Sequence, residues 1–362
     1  MLLQKIYKTP PASILPDHES RQAGEIYSGK DIAKILSYKV PCSFARAVVA
    51  PQVVSYHFNL DNPLELPKVK RLLEGVSAVL HTEIKQATSN IGHFALEIPR
   101  ADRSTLYFKQ ALLTKDFDQA AELSALFGVD TLNRPLVVDI EKLPHVLIGG
   151  ATGGGKSVLL NSIAVSLLFK HTPETLRFII IDPKQVEFSA YAGLPHLLYP
   201  VVTDPYKAID TLAKVCDMIE SRYKQMAQRK VKSAGEIGLP SVVLMIDELA
   251  DLIIVGKKPV EMAVVRIAQL GRAAGVHLIV ATQQPTVNVV TSLIKANIPC
   301  RVALKTATTS NSMVVLDTKG AEKLTGKGDA LLKLPDKVTP IRFQAPLIES
   351  ADIAPVIKYW SK

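Results

Sequence analysis

The sequence predicts an α/β protein whose larger part is built on a parallel sheet, preceded by a smaller α/β domain. Three observations carry this. Short apolar runs at 145–148, 178–181, 242–246, 277–281 and 301–304 read as buried strands, and four of them lead into a polar or Gly-rich turn and a helical stretch. Strands buried on both faces and alternating with helices are the pattern of a parallel sheet. The length, 362 residues, suggests two compact units at about 150 residues each. Finally, the texture of the chain changes at Asn133-Arg134-Pro135. These observations divide the chain into an N-terminal arm (1–30), a small α/β domain (31–132) and a larger domain (133–362).

The arm contains Pro10, Pro11 and Pro16 and little periodicity. Residues 48–54 and 55–60 are β-branched runs. Val69, Leu72, Leu73, Val76, Val79 and Leu80 are spaced as on one helix face, which predicts a helix over 69–81. Residues 94–98 alternate as a strand does. The small domain carries no motif of chemistry.

The larger domain does. Gly150-Ala151-Thr152-Gly153-Gly154-Gly155-Lys156-Ser157 fits the phosphate-loop pattern G-x-x-x-x-G-K-[ST] once in the chain, between the strand at 145–148 and a helix over 157–169. Glycines let the backbone curl so that its N–H groups face phosphates, and the helix N-terminus adds positive potential. Lys156 is positioned to reach the β- and γ-phosphates, and Ser157 to ligate Mg²⁺. The strand at 242–246 ends in Asp247-Glu248. Asp247 there suits the Mg²⁺ shell, and Glu248 suits a base that activates the attacking water; a helix cap followed by a surface acid is the plainer alternative. Gln283 ends the next strand, where it either touches the γ-phosphate or serves as a turn residue.

Composition sets the class. Hydrophobic residues make up 48% and charged residues 21%, an ordinary globular balance. No run reaches the roughly 18 apolar residues of a membrane helix, and the N-terminus lacks the layout of a secretory signal. Cys42, Cys216 and Cys300 are odd in number and far apart, and the eight histidines show no ligand spacing. A soluble, reduced, cytoplasmic protein is the expectation. The net charge is +9, and residues 136–362 hold 27 of the 43 basic groups against 20 of the 34 acidic ones. Basic groups concentrate at Arg222, Lys224, Arg229, Lys230 and Lys232, and again over 301–342. Such a field attracts polyanions; a solvated cationic face without a partner is equally open on charge alone.

Beyond the phosphate loop, a series of strings resembles the FtsK/SpoIIIE family of hexameric double-stranded DNA translocases. They include Leu143-Pro144-His145-Val146-Leu147, Ile181-Asp182-Pro183-Lys184, Gly193-Leu194-Pro195-His196-Leu197-Leu198, Asp247-Glu248-Leu249-Ala250-Asp251-Leu252, Arg272-Ala273-Ala274-Gly275-Val276-His277-Leu278, Leu293-Ile294-Lys295-Ala296-Asn297-Ile298-Pro299 and Gly326-Lys327-Gly328-Asp329. The likeness covers roughly residues 31–345. It implies a small α/β domain stacked on a RecA-like motor, both forming rings. It also implies ATP and Mg²⁺ at subunit boundaries, and an arginine supplied by the neighbouring subunit. Arg301 is the first candidate for that role and Arg272 the second, with a structural ion pair the alternative for each. The resemblance also maps Lys305, Lys319, Lys323 and Lys327 to the DNA-facing pore, or else to a merely solvated face. The implied function is ATP-driven movement of duplex DNA without base-specific recognition. A conjugative coupling ATPase, a protein-secretion ATPase and a nucleotide-gated scaffold are the competing readings.

The chain departs from the family at three places. Gln284 and Asn288 stand where the family usually has Arg and Asp, and Met313 stands where it has Arg. These changes bear on subunit switching or DNA contact rather than on the nucleotide core. The family's membrane-spanning N-terminal region and C-terminal winged-helix module have no counterpart in these residues, so a truncated form or a stand-alone relative is expected.

Overall fold

The computed structural model describes residues 7–18, 26–82, 84, 86–90, 92–100 and 104–361. Residues 1–6 and 19–25 of the arm expected from sequence lie outside them.

Residues 26–99 build a four-stranded antiparallel sheet covered by two helices. Helix α1 (Gly29–Ser37) leads into a hairpin of β1 (Cys42–Val49) and β2 (Val53–Leu60); α2 (Leu66–Val79) follows, then β3 (Gln86–Asn90) and β4 (His93–Pro99). The strand order is β1-β2-β4-β3. The β-branched run at 48–54 is therefore the end of one strand, a turn and the start of the next. Ile32 and Leu36 of α1 and Val76 of α2 close over Tyr56, Phe58, Phe94 and Leu96. Ser55, His57 and Glu97, pointing the other way, are buried too, because that face rests on the larger domain.

The larger domain takes in more chain than the sequence suggested. Short helices α3 (Phe108–Leu112) and α4 (Lys115–Asp118) and strands β5 (Ser124–Asp130) and β6 (Pro135–Asp139) belong to its nine-stranded sheet and core. The change of texture at 133–135 marks the β5–β6 hairpin turn. Asn133 adopts a left-handed conformation there (φ 57°), and Pro135 opens an edge strand, where a missing N–H is tolerated.

The remaining elements alternate: β7 (His145–Gly149), α5 (Lys156–Leu168), β8 (Leu176–Ile181), α6 (Pro205–Arg229), β9 (Ser241–Ile246), α7 (Leu249–Leu270), β10 (Val276–Thr282), α8 (Ser292–Asn297), β11 (Cys300–Leu304), α9 (Thr309–Leu316), β12 (Asp329–Lys333), β13 (Ile341–Gln344) and α10 (Ser350–Trp360). The sheet order is β6-β5-β13-β12-β11-β7-β10-β9-β8. The five strands read from sequence are the parallel block β11-β7-β10-β9-β8, and the four strands beyond β11 join it antiparallel.

Alternation along β7 sends Val146 and Ile148 to one face and Leu147 to the other. Helices α5 and α10 cover the first face, and α6, α7 and α8 cover the second. Helix α5 is buried almost all round, from Leu159 to Leu168, as its lack of a polar stripe requires. Residues 7–18 lie on the same core. Leu15 is buried in it, Lys109 Nζ donates to Leu15 O (2.8 Å) and Asp17 Oδ1 (2.7 Å), and His18 pairs with Asp352 at 3.2 Å. No helix among the described residues is long and apolar enough to cross a membrane.

Candidate nucleotide site

The carboxyl ends of β7, β10, β9 and β8 converge on one edge of the sheet, where ligands of open α/β sheets bind. The phosphate loop leaves β7 there and turns into α5. Gly155, immediately before the helix, has φ +105°, and a Cβ on it would fall 2.6 Å from Gly328 N. Only glycine meets both demands. The loop is tied to its neighbours by backbone bonds: Gly150 N–H to Thr282 O (3.2 Å), Ala151 N–H to Lys305 O (2.8 Å) and Gly328 N–H to Gly154 O (2.8 Å). A cavity of about 620 Å³ opens above it, lined by residues 151–153 and 155–158 of the loop and helix, by Gln283, Lys327 and Gln344, and by Gln52 of the small domain.

Lys156 is buried and turns down toward β9, where its ammonium donates to the backbone oxygen of Asp247 (2.8 Å) and to the Asp247 carboxylate. Burial pushes the Asp247 carboxyl above its usual range, against the pull of Lys156, with Asp182 and Glu187 adding to the push. Ser157 Oγ donates to Glu187 Oε1. Asp182, at the tip of β8, accepts from Glu187 N–H (3.1 Å) and Phe188 N–H (3.0 Å) with one oxygen. Its other oxygen is buried without a partner.

Glu248 is fully buried. Its Oε1 accepts from Thr282 Oγ1 (2.6 Å), and both oxygens lie within reach of Gln283 N–H (3.2 and 3.1 Å). Lys184 Nζ approaches its Oε2 at 3.4 Å. The plainer alternative, Asp247 as a helix cap followed by a surface acid, does not hold: the cap is Glu248 itself, which accepts from Ala250 N–H at 3.4 Å, and both acids are buried. Gln283 Oε1 accepts from Thr152 Oγ1 (3.0 Å), so the residue expected at the γ-phosphate rests on the phosphate loop.

The fold thus brings together Gly150 to Ser157, Asp247, Glu248 and Gln283. Sequence reasoning missed Glu187, Lys184 and Thr282. A signal existed in Asp182-Pro183-Lys184, because a loop at the tip of β8 must border the same edge.

The other expectations divide. Arg301 lies near the amino end of β11, away from the phosphate loop. Its guanidinium donates to Val315 O (3.2 Å) and to Asp317, which also holds Lys295 (2.7 Å) and Lys333 (3.3 Å). Within one subunit the ion-pair alternative describes it. Arg272 is exposed at the same end of the sheet, between α7 and β10. Arg222 does not belong to a solvated cationic face: it is buried and donates to Ala274 O (2.7 Å) and Pro240 O (2.9 Å). Lys319 and Lys323 are exposed around a groove of about 330 Å³. Lys305 and Lys327 adjoin the phosphate loop instead. Gln284, Asn288 and Met313 are exposed, so the departures leave the packed site untouched.

A phosphate cradle on one strand tip, with a buried acid pair two strands away and a polar residue on the strand between, defines a RecA-like phosphate-loop NTPase fold. Solved structures share it. The pCW3 conjugation coupling protein TcpA, in a monomer form with ATPγS, is 22% identical with a TM-score of 0.62 over 89% of this chain and 95% of its own. The cytoplasmic domain of the type VII secretion ATPase EccC from Thermomonospora curvata is 24% identical with a TM-score of 0.61, over 70% and 34%.

The chain belongs to the FtsK/SpoIIIE family, which matches residues 108–238 and 233–287. That match begins where α3 does. The DNA translocase FtsK of Helicobacter pylori is 38% identical over 342 residues, 91% of this chain and 40% of that protein. The FtsK translocases of Campylobacter jejuni and Streptococcus pneumoniae are 36% and 35% identical, each over 98% of this chain. The chain spans less than half the length of these relatives.

Proposed function

We propose that this chain hydrolyses ATP and uses the energy to move double-stranded DNA through a hexameric ring in the cytoplasm, reading no base sequence. The observation that carries the reading is Glu248: a fully buried carboxylate at a strand tip, held by Thr282 and the Gln283 N–H beside an intact phosphate loop. Water placed between Glu248 and the γ-phosphate loses its proton to this carboxylate as it attacks. Lys156 exchanges Asp247 for the phosphates, and its move frees the Asp247 carboxylate. The donors fit Mg²⁺: the Ser157 hydroxyl and the Asp247 carboxylate are hard oxygens, and the partnerless oxygen of Asp182 lies in the same cluster. Mg²⁺ bound there neutralises phosphate charge. Among the described residues no group of three or more His, Cys, Asp or Glu is arranged as a metal cage, and a site shared with substrate phosphates needs none.

In the ring, residues 26–99 form one tier and the larger domain the other. Arg272 and Arg301, at the amino end of the parallel strands, face the neighbour's nucleotide, and Arg301 must leave Asp317 to act. Lys319 and Lys323 hold the DNA backbone. The relatives named DNA translocase support DNA as the cargo.

The test is the steady-state ATPase rate alone, with linear duplex and with single-stranded DNA, at two salt concentrations. Stimulation by duplex that fades with salt is the expected result, since backbone contacts release counterions. An appreciable basal rate that ignores duplex DNA would overturn the cargo and leave a polypeptide in its place.

A further inference from the structure

Residues 326–328 form a short flap over the phosphate loop. All three are left-handed, Gly326 at φ +83°, Lys327 at +52° and Gly328 at +88°. Two of them are glycine, which adopts this region freely; lysine there is strained by about 1 kcal/mol or more and persists only where surroundings hold it. They do. Lys327 N–H lies 3.5 Å from Gly153 O and Gly328 N–H 2.8 Å from Gly154 O, while Gln344 Nε2 donates to Lys327 O at 2.9 Å. The flap is thereby fixed to the loop rather than to the groove bearing Lys319 and Lys323. The Lys327 side chain is exposed and lines the same cavity as Lys156 and Ser157. No carboxylate among the described residues pairs with it.

We propose that Lys327 is a second cationic ligand of the nucleotide polyphosphate, supplied in cis from the flap that lines the same cavity as Lys156. This rests on the reading of the cavity as an ATP site. The chemistry suits the placement. An ammonium on a flexible four-carbon stem is a point charge that needs no fixed geometry to meet phosphate oxygens. The strained backbone fixes where the stem begins. Lys327 therefore leaves the set of DNA contacts and sets the affinity for nucleotide, whereas Lys156, reaching the transferred phosphoryl group, sets the rate.

Calorimetric titration of Mg-ATP into the full chain tests this, with Lys327→Met, Lys327→Arg and Lys156→Ala in parallel, together with duplex DNA binding in the absence of nucleotide. Lys327→Met should weaken ATP about tenfold, by analogy with the loss of one charge-assisted contact. Lys327→Arg should restore most of it, and duplex affinity should not change. In turnover, Lys327→Met should raise KM with kcat nearly intact. Wild-type ATP affinity in Lys327→Met, or a loss confined to duplex binding, would overturn the proposal while the ATP reading stands. Failure of the unaltered chain to bind ATP would overturn both.

Discussion

Arg342 on β13 reaches across the boundary between the two domains to Glu97 on β4, Nη1 to Oε2 at 3.3 Å. The same guanidinium holds Asp329 on the adjacent strand β12 through Nε (3.0 Å) and Nη2 (2.9 Å). All three side chains are buried. Burial pushes the Glu97 carboxyl up and Arg342 opposes it. Arg342→Met leaves two carboxylates buried without their cation, a change of about 3–5 kcal/mol. Chemical denaturation should show that loss. Combining Arg342→Met with Glu97→Gln and Asp329→Asn should recover part of it, because the stranded charges are then gone.

Glu248→Gln keeps the volume of the side chain and its contact with Thr282 but removes the base. ATP should still bind, while turnover falls by about 10²–10⁴. Lys156→Ala should also abolish turnover while the fold survives. Near-normal hydrolysis by either variant, measured as phosphate release, would refute the assignment of the site.

Asp317 gathers Lys295, Arg301 and Lys333. Burial pushes its carboxyl up, but the three cations outweigh that and hold it well below the usual range. A depressed carboxyl contributes stability above its unfolded pKa and loses it as pH falls through the folded one. Asp317→Asn should therefore lower stability at pH 7, by about 1 kcal/mol after screening of a side chain that is 44% exposed. The gap between variant and parent, followed as Tm, should begin to narrow as the pH falls below about 4 and close only toward the depressed folded value.

Three buried histidines act at higher pH. Burial lowers His145 to about 3 and His196 and His277 to about 4. The geometry agrees for His145, whose Nδ1 accepts from Leu278 N–H at 3.1 Å and so carries no proton. The unfolded chain takes up protons at these rings near pH 6.5 while the fold does not, so stability falls as pH drops below that value. Tm should decline from pH 6.5 toward pH 4, and His145→Gln should flatten the decline.

The parts of the site that sequence reveals are those in which local geometry and chemistry coincide. The phosphate loop needs its glycines and lysine within eight residues, and Asp247-Glu248 ends an unmistakably buried strand. Glu187 and Thr282 escaped because their roles arise only where separate strand tips meet. Strands β12 and β13 escaped because an antiparallel extension of a parallel sheet lacks the strand-then-helix rhythm that marks the rest. Asn133 and Pro135 show the converse: their turn chemistry was visible, but a hairpin and a domain boundary use the same residues. Lys327 was visible only as a charge, and its place over the phosphate loop depends on backbone bonds to Gly153 and Gly154 that no composition encodes.

Residues 7–18 lie against the larger domain, with Tyr7 beside Trp360 and Tyr359 Oη donating to Thr9 O at 3.4 Å. Residues 26–99 come next in sequence, and Leu106 is again part of the larger domain, its backbone oxygen accepting from Leu347 N–H at 2.7 Å. The small domain is therefore moored by two strands of backbone rather than one. A body on a single tether can spin; a body on two can rock but resists unwinding, and any torque applied to it is passed on to its base. Whatever load reaches residues 26–99 is therefore passed to the larger domain at two separate places in the sequence, residues 7–18 before the small domain and α3 after it.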